Sequence, residues 1–496
     1  MRFYTNICCG FILFDRKFSP ATAYHLKPEP FHLKPSLASW RFTQLPVRQE
    51  AALNFCHQSL DWSSMHDFRF VAGKLVCEGV GIETLARKFG TPLYVYSQHT
   101  LTDHFQKLDT AMAPVDHRIC FAVKANSNLS VLRVLANLGG GFDIVSAGEL
   151  QRVIDAGGDP GKCVFAGVGK TEKEIEFAIR QGVYSFNVES EPELLRINRV
   201  ASRLKKVAPV AVRVNPNIEA HTHAKITTGT YENKFGIAFE QVPGIYARSA
   251  KLKNLWLRGV QMHIGSQITE TTPFEAAVKK VVPLVEKLKA AHPLEFFSVG
   301  GGLGIVYDPV LASGNAAWWR TKAAKKIMTP ASYAARILPI LKPLGLKILM
   351  EPGRFICGNA GTLVTRVEFV KRTGRKNFVI VDAAMNDLIR PAFYDAHHEI
   401  VPLTEKSGSK LKSDVVGPIC ESGDYFCKDR PLPPVGEGDY LALLSAGAYG
   451  FVMASNYNSR PLAAEILVSG RKYAVARERQ PVKEIWAGEK VVAWLK

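Results

Sequence analysis

The sequence predicts an α/β plus all-β architecture: a (β/α)8, TIM-like barrel followed by a C-terminal β-barrel or sandwich domain. Three observations carry that expectation. Eight short apolar runs alternate with amphipathic stretches between residues 96 and 357, which implies a parallel sheet with helical crossovers. After Gly358 the helical patterns nearly stop, and strand-like runs separated by turn residues take over. The chemically unusual residues of the first part stand at the carboxyl ends of its apolar runs, where a barrel carries its reacting groups.

Residues 1–64 are rich in Pro, Ser, His and aromatic residues, poor in acids and without sustained periodicity. A basic targeting peptide and an extension upstream of a start at Met65 both fit. The second is favoured, because Met65-His66-Asp67 directly precedes the first orderly element, and the stretch is expected to be disordered. A cytoplasmic location follows, or a plastid one if the segment is a transit peptide. Residues 65–95 then read as a hairpin, Phe68–Val71 and Leu75–Cys77 around Ala72-Gly73-Lys74, a short helix Val80–Phe89 closed by Gly90, and a strand over Leu93–Tyr96. This hairpin needs an edge to pair with and is expected to join the C-terminal sheet.

Residues 96–357 form the predicted barrel. Its strands are Ile119–Val123, Phe142–Val145, Cys163–Ala166, Tyr184–Val188, Val210–Val214, Gly259–Ile264, Phe296–Val299 and Ile348–Met350. Helical patterns cover Ser146–Ala156, Lys170–Gln181, Glu191–Lys205, Phe274–Ala290 and Pro330–Leu344. The first of these opens at Ser146 with Glu149 three residues on, the pattern of a capping box. A doubly wound open sheet shares this alternation, since pattern alone does not prove closure. Residues 358–496 form the predicted β domain, with strands over Thr362–Val370, Asn377–Val381, Asp414–Ile419, Tyr440–Leu444 and Glu465–Val468.

Composition excludes several classes. The 496-residue chain has 63 Lys and Arg against 45 Asp and Glu, a formal charge of +18. The basic residues are interspersed with acids, and the clusters Arg320–Lys326 and Lys371–Lys376 are short and lack interleaved aromatics. A solvated basic surface that attracts an anionic substrate fits better than a nucleic-acid partner. No apolar run approaches the roughly 20 residues of a membrane span. The nine cysteines are dispersed, with no metal-like spacing, which suits a reducing compartment. His221-Thr222-His223 has no acidic or thiol cluster around it and reads as a polar loop, so no metal is expected.

Five places carry chemistry. Phe121-Ala-Val-Lys-Ala-Asn126 delivers Lys124 at the end of the first strand. Most such lysines are solvated, but one turned into an apolar barrel mouth loses water, drops its pKa and becomes a nucleophilic amine. Asp143 lies in the second strand; His263, with Gly265 and Ser266, ends the sixth. Gly300-Gly-Gly-Leu-Gly304 follows the seventh, where barrels bind phosphate against exposed backbone N–H groups. Glu351-Pro352-Gly353-Arg354 follows the eighth, and its carboxylate is suited to hold a proton on an aromatic ring nitrogen.

These stretches, with Leu388-Ile-Arg-Pro-Ala-Phe-Tyr394, Cys420-Glu-Ser-Gly-Asp424 and Gly447-Ala-Tyr-Gly450, resemble the diaminopimelate decarboxylases. Those enzymes are the lysine-biosynthesis branch of the alanine-racemase-like, fold-type III pyridoxal-phosphate decarboxylases. The likeness runs in order from about residue 66 to the C-terminus and omits residues 1–64 and the Trp318-Trp319 insertion with its basic tail. It implies decarboxylation of meso-2,6-diaminopimelate to L-lysine. Lys124 would carry pyridoxal 5'-phosphate covalently. Asp143, His263, Ser266, Gly302, Glu351, Pro352, Gly353, Arg354 and Tyr449 would complete the cofactor site. Arg354, Arg390, Tyr394, Glu421 and Tyr449 would contact substrate, and Cys420 would donate the final proton. Cys420 and Glu421 would serve the partner's pocket, making a homodimer with shared sites. Arg354 and Arg390 suit a distal carboxylate and Glu421 a distal amine, which favours diaminopimelate over the substrates of ornithine, arginine or carboxylated-polyamine decarboxylases of the same fold. An amino-acid racemase and a non-catalytic cofactor-binding regulatory protein are the other readings. The Cys420-Glu421 pair weighs against the first, and the presence of Lys124, Cys420 and Tyr449 against the second.

Overall fold

The computed structural model describes residues 65–218 and 234–495. The expectations for residues 1–64 and for His221-Thr222-His223 lie outside the described residues.

Eight parallel strands close on themselves. They are His117–Ala122, Gly141–Ile144, Cys163–Phe165, Ser185–Val188, Ala208–Asn215, Leu255–Met262, Phe296–Ser298 and Lys347–Met350. Each pairs with the next, and the eighth returns to the first with Ile348 opposite His117 and Met350 opposite Ile119. The ladder is therefore a barrel and not an open sheet. Its strands are buried along nearly their whole length, as expected when helices cover the outside and side chains fill the inside. Phe121, Phe142, Phe165 and Phe186 are fully buried on neighbouring strands, and Phe165 stacks on Phe186 with ring centres 5.8 Å apart. Truncating one such ring typically costs about 3–5 kcal/mol through lost transfer energy and the cavity left behind.

The five anticipated barrel helices appear as Ala147–Asp155, Glu172–Gln181, Glu191–Arg203, Thr272–Ala291 and Pro330–Leu341. Ser146 caps the first, its Oγ accepting from the Glu149 N–H at 3.2 Å. The reciprocal bond departs from a capping box, because Glu149 Oε2 accepts from Val145 N–H at 2.7 Å, one residue earlier than Ser146. Three helices of eight or more residues were not anticipated, Gln98–Met112, Leu129–Asn137 and Val242–Ser249. The first buries Thr100, His104 and Lys107 on its inward face, so its apolar stripe is broken in the sequence.

The second large sheet is built around Gly361–Arg372, which pairs antiparallel with Leu93–Ser97, Asn377–Val381 and Tyr440–Leu443. Leu93–Ser97 lies between that strand and Ala464–Ser469, so a strand from before the barrel sits inside the sheet formed after it. The N-terminal hairpin, Phe68–Val71 and Lys74–Cys77 with Val80–Gly81, makes its own three-stranded sheet. It joins the β domain through Leu75 N–H to Leu403 C=O and Glu405 N–H to Gly73 C=O, both 2.7 Å, and by packing Phe68, Leu75 and Cys77 with Leu93, Leu403 and Ile466. The strand Tyr425–Leu432 was also missed, because its apolar start Tyr425-Phe426-Cys427 is cut short by Lys428, Asp429, Arg430 and Pro431. Among the described residues no helix is long and apolar enough to cross a membrane.

Candidate active site

The carboxyl ends of the barrel strands open into a cavity of about 570 Å³, walled on one side by residues of the β domain. Lys124 lies in the single 3-10 turn Val123–Ala125 directly after the first strand. Its side chain is 41% exposed, and the exposed part lines this cavity. Nζ stands 2.5 Å from Oδ2 of buried Asp143, in the adjoining strand. The sequence suggested a depressed lysine pKa, and here the structure corrects it. Burial does work against the charge, but Asp143 and then Tyr449 outweigh it and hold the ammonium well above its ordinary value. Asp143 Oδ1 is buried without a hydrogen-bond partner.

Glu351 forms the cavity floor. Three side chains donate to its carboxylate: Asn187 Nδ2 at 3.1 Å, Gln261 Nε2 at 2.8 Å and Ser298 Oγ at 2.8 Å. Burial, reinforced by Asp143, pushes its carboxyl up to about 7, against the pull of Ser298, Lys124 and Gln261. None of these three donors was singled out from the sequence. The available signal was a polar residue inside an otherwise apolar barrel strand.

His263 Nδ1 accepts from Gly301 N–H at 3.2 Å, which leaves Nε2 to carry the proton of a neutral ring. Burial, then Arg213 and Lys124, hold its pKa well below the usual value. The glycine run must be glycine. A Cβ on Gly301 would stand 2.2 Å from Glu351 C=O, and Gly302, at φ +107°, would place one 2.6 Å from Gly265 C=O. Gly301, Gly302, Ser266 and Gly353 all line the cavity. Pro352 does not, and instead ties the eighth strand to the first by accepting from Ala122 N–H at 3.0 Å.

The opposite wall is cationic. Arg354 Nη1 donates to Tyr307 Oη at 2.6 Å and Nη2 to Ser266 Oγ at 3.3 Å, while its guanidinium lies 4.8 Å from the Tyr449 ring centre. Arg390 Nη1 is 2.8 Å from His398 Nε2, and its guanidinium lies 4.8 Å from the Tyr307 ring centre. Both arginines are buried, and the Nε of each has no partner. Among the described residues neither has a carboxylate partner. Tyr394 and Tyr449 complete this wall. Tyr449 adopts φ +56° and is pinned by its N–H to Ala125 C=O at 2.8 Å. Tyr307 was missed from sequence because it lies three residues beyond the glycine run, with no motif of its own.

Cys420 and Glu421 are exposed and do not line this cavity. Glu421 Oε2 accepts from the exposed Tyr457 hydroxyl at 3.1 Å. Cys420 is the exposed member of the six described free cysteines, the others being buried.

The donor set fits pyridoxal phosphate. It combines an amine beside a buried carboxylate with an unsatisfied oxygen, a second carboxylate on the floor, and a glycine cradle next to a buried arginine. Comparison with known proteins points the same way. Residues 98–358 match the family described as pyridoxal-dependent decarboxylase, pyridoxal binding domain. The chain is 48% identical over 422 residues to the diaminopimelate decarboxylase of Vibrio cholerae serotype O1, covering 85% of this chain and 97% of the relative. Among solved structures, the diaminopimelate decarboxylase of Helicobacter pylori complexed with L-lysine superposes with a TM-score of 0.76 at 40% identity, covering 82% of this chain and 98% of that one. The M. jannaschii diaminopimelate decarboxylase in co-complex with L-lysine gives 0.80 at 34% identity, covering 87% and 100%.

Proposed function

This chain belongs to the pyridoxal-dependent decarboxylases, and we propose that it converts meso-2,6-diaminopimelate to L-lysine and carbon dioxide. One observation carries the choice of substrate: Arg354 and Arg390 are buried on one cavity wall with no acid among the described residues to neutralise them. Two such cations are costly unless anions arrive to pair with them: the cofactor phosphate, which Arg354 would help to anchor, answers one, and Arg390 awaits another. A substrate with a distal carboxylate supplies it, and planar guanidinium forks suit that group. A substrate ending in a lone cation would be repelled.

When bound at Lys124, pyridoxal phosphate supplies the electron sink that takes up the charge left by the departing carboxyl group. The protein's share is electrostatic and geometric. Lys124 Nζ would hold the cofactor covalently and yield its place to the substrate amine. Glu351, steadied by Asn187, Gln261 and Ser298, would keep a proton on the ring nitrogen. Asp143 would orient the same face, the neutral His263 ring would lie against the cofactor, and Ser266, Gly302, Gly353, Arg354 and Tyr449 would anchor its remainder. Pro352 would act through its backbone. Arg390 and Tyr394, with Arg354, would seat the substrate.

The proton that ends the reaction would come from Cys420 Sγ, with Glu421 receiving the distal amine. Both are exposed in the single chain, so two copies would complete each other's pockets in a homodimer.

Incubating the purified protein with pyridoxal phosphate and meso-diaminopimelate tests the function. Lysine and carbon dioxide should appear in equal amounts, and ornithine and arginine should be turned over far more slowly. Carbon dioxide released preferentially from ornithine or arginine would contradict the substrate, and none from any amino acid would contradict the activity.

A further inference from the structure

Arg390 carries five N–H donors into a buried wall, and among the described residues its side chain meets a histidine through Nη1. That histidine, His398, is fully buried, and both of its ring nitrogens are committed. Nδ1 stands 2.8 Å from Leu444 C=O and Nε2 stands 2.8 Å from Arg390 Nη1. A carbonyl can only accept and a guanidinium can only donate. A single assignment satisfies both contacts: Nδ1–H donates to Leu444, and unprotonated Nε2 accepts from Arg390. A second ring proton would set one N–H against another.

The surroundings enforce the neutral ring. Arg390 and Arg354 are the nearby cations, Arg430 Nη1 donates to the His398 carbonyl, and His397 is adjacent. Tyr307 meets the ring edge-on with centres 5.6 Å apart. Burial, then Arg390, holds the His398 pKa well below its usual value. Arg390 is thereby packed between an acceptor on one side and the Tyr307 ring on the other, with Nε unpartnered.

We propose that His398 is the positioning residue of the substrate-carboxylate site, fixing the Arg390 guanidinium by a hydrogen bond that its neutral, single tautomer alone can accept. It deepens the proposed function and rests on the reading that Arg390 receives a carboxylate. Loss of one carboxyl group from diaminopimelate leaves lysine with the other, so lysine keeps the carboxylate that Arg390 would meet. Cadaverine, 1,5-diaminopentane, is the same molecule without it.

The test measures inhibition of diaminopimelate turnover by lysine and by cadaverine in the holoenzyme. Unaltered enzyme should bind lysine more tightly than cadaverine; equal binding would sink the carboxylate reading itself. His398→Leu should weaken lysine inhibition about tenfold and raise the KM by more than it lowers kcat, the scale of one hydrogen bond to a charged group, while cadaverine inhibition stays within about twofold. His398→Gln keeps an acceptor near the place of Nε2 and should hold lysine inhibition within about threefold of the unaltered enzyme. If enzyme that prefers lysine keeps that preference in His398→Leu, or loses it equally in His398→Gln, the positioning role is overturned. A pH series on unaltered enzyme needs no variant: the lysine-to-cadaverine ratio should stay flat from about pH 8 to 6, whereas a fall centred near the usual histidine value of about 6.5 would overturn the fixed neutral ring.

Discussion

Lys124 Nζ and Asp143 Oδ2 stand 2.5 Å apart, joining the turn after the first barrel strand to the interior of the second. The pair keeps the amine charged in the protein without cofactor. Capture of an aldehyde needs the neutral amine, so the rate at which cofactor-free protein takes up pyridoxal phosphate should climb with pH from about 7 to 9. Asp143→Asn removes the main counter-charge and leaves burial, the largest influence, opposed only by Tyr449 and Glu149, so the amine's pKa should fall. Its capture rate should level off at lower pH, followed by absorbance after rapid mixing. Identical pH profiles for the two proteins would show that Asp143 does not govern the amine.

Glu351 gives a pH prediction of opposite character. Its folded pKa, about 7, lies above the ordinary 4.5. A raised acid favours the fold while protonated, so its stabilisation is full below about 4.5 and is lost as pH rises through about 7. Thermal unfolding of cofactor-free Glu351→Gln across that window should show less decline with pH than the unaltered protein. In the holoenzyme the same change should cut kcat by about a hundredfold or more, because the ring-nitrogen proton loses its counter-charge. Parallel unfolding curves or retained turnover would contradict the floor assignment.

Gly302 tests the cradle. Gly302→Ala forces a side chain into φ +107° and to within 2.6 Å of Gly265 C=O. The expected result is a loss of about 1–3 kcal/mol of stability and weaker cofactor retention on dialysis, read by unfolding and by cofactor absorbance. A variant that holds cofactor as tightly as the unaltered protein would remove the glycine run from the phosphate site.

Much of this was legible in the chain, and what was not has physical reasons. All eight barrel strands were readable because strands buried on both faces are continuous apolar runs. Lys124, His263, Gly302, Glu351 and Arg354 were findable because each breaks such a run or follows it directly, and the structure gathers them around one cavity. Closure was not readable, since pairing of Ile348 with His117 joins residues far apart in sequence. Nor was the charge of Lys124, which depends on Asp143 reaching across from the next strand. Asn187, Gln261, Ser298, Tyr307 and His398 were passed over because each acts through a partner that only folding brings near.

Cys420 and Glu421 lie outside the cavity of their own chain, and a mixing experiment addresses that. Lys124→Ala and Cys420→Ala should each be nearly inactive alone. If sites are shared, refolding the two together in equal amounts should restore up to about one quarter of full activity, because half the dimers are mixed and each holds one intact site. A mixture as inactive as its parents would contradict the shared pocket.

Borohydride reduction of the holoprotein, followed by peptide mapping, addresses the chemistry at its centre. Reduction should fix one pyridoxyl group per chain on the side chain of Lys124, and Lys124→Ala should take up none. A label on another lysine, or no label on unaltered protein, would contradict the assignment of Lys124 as the residue that holds the cofactor.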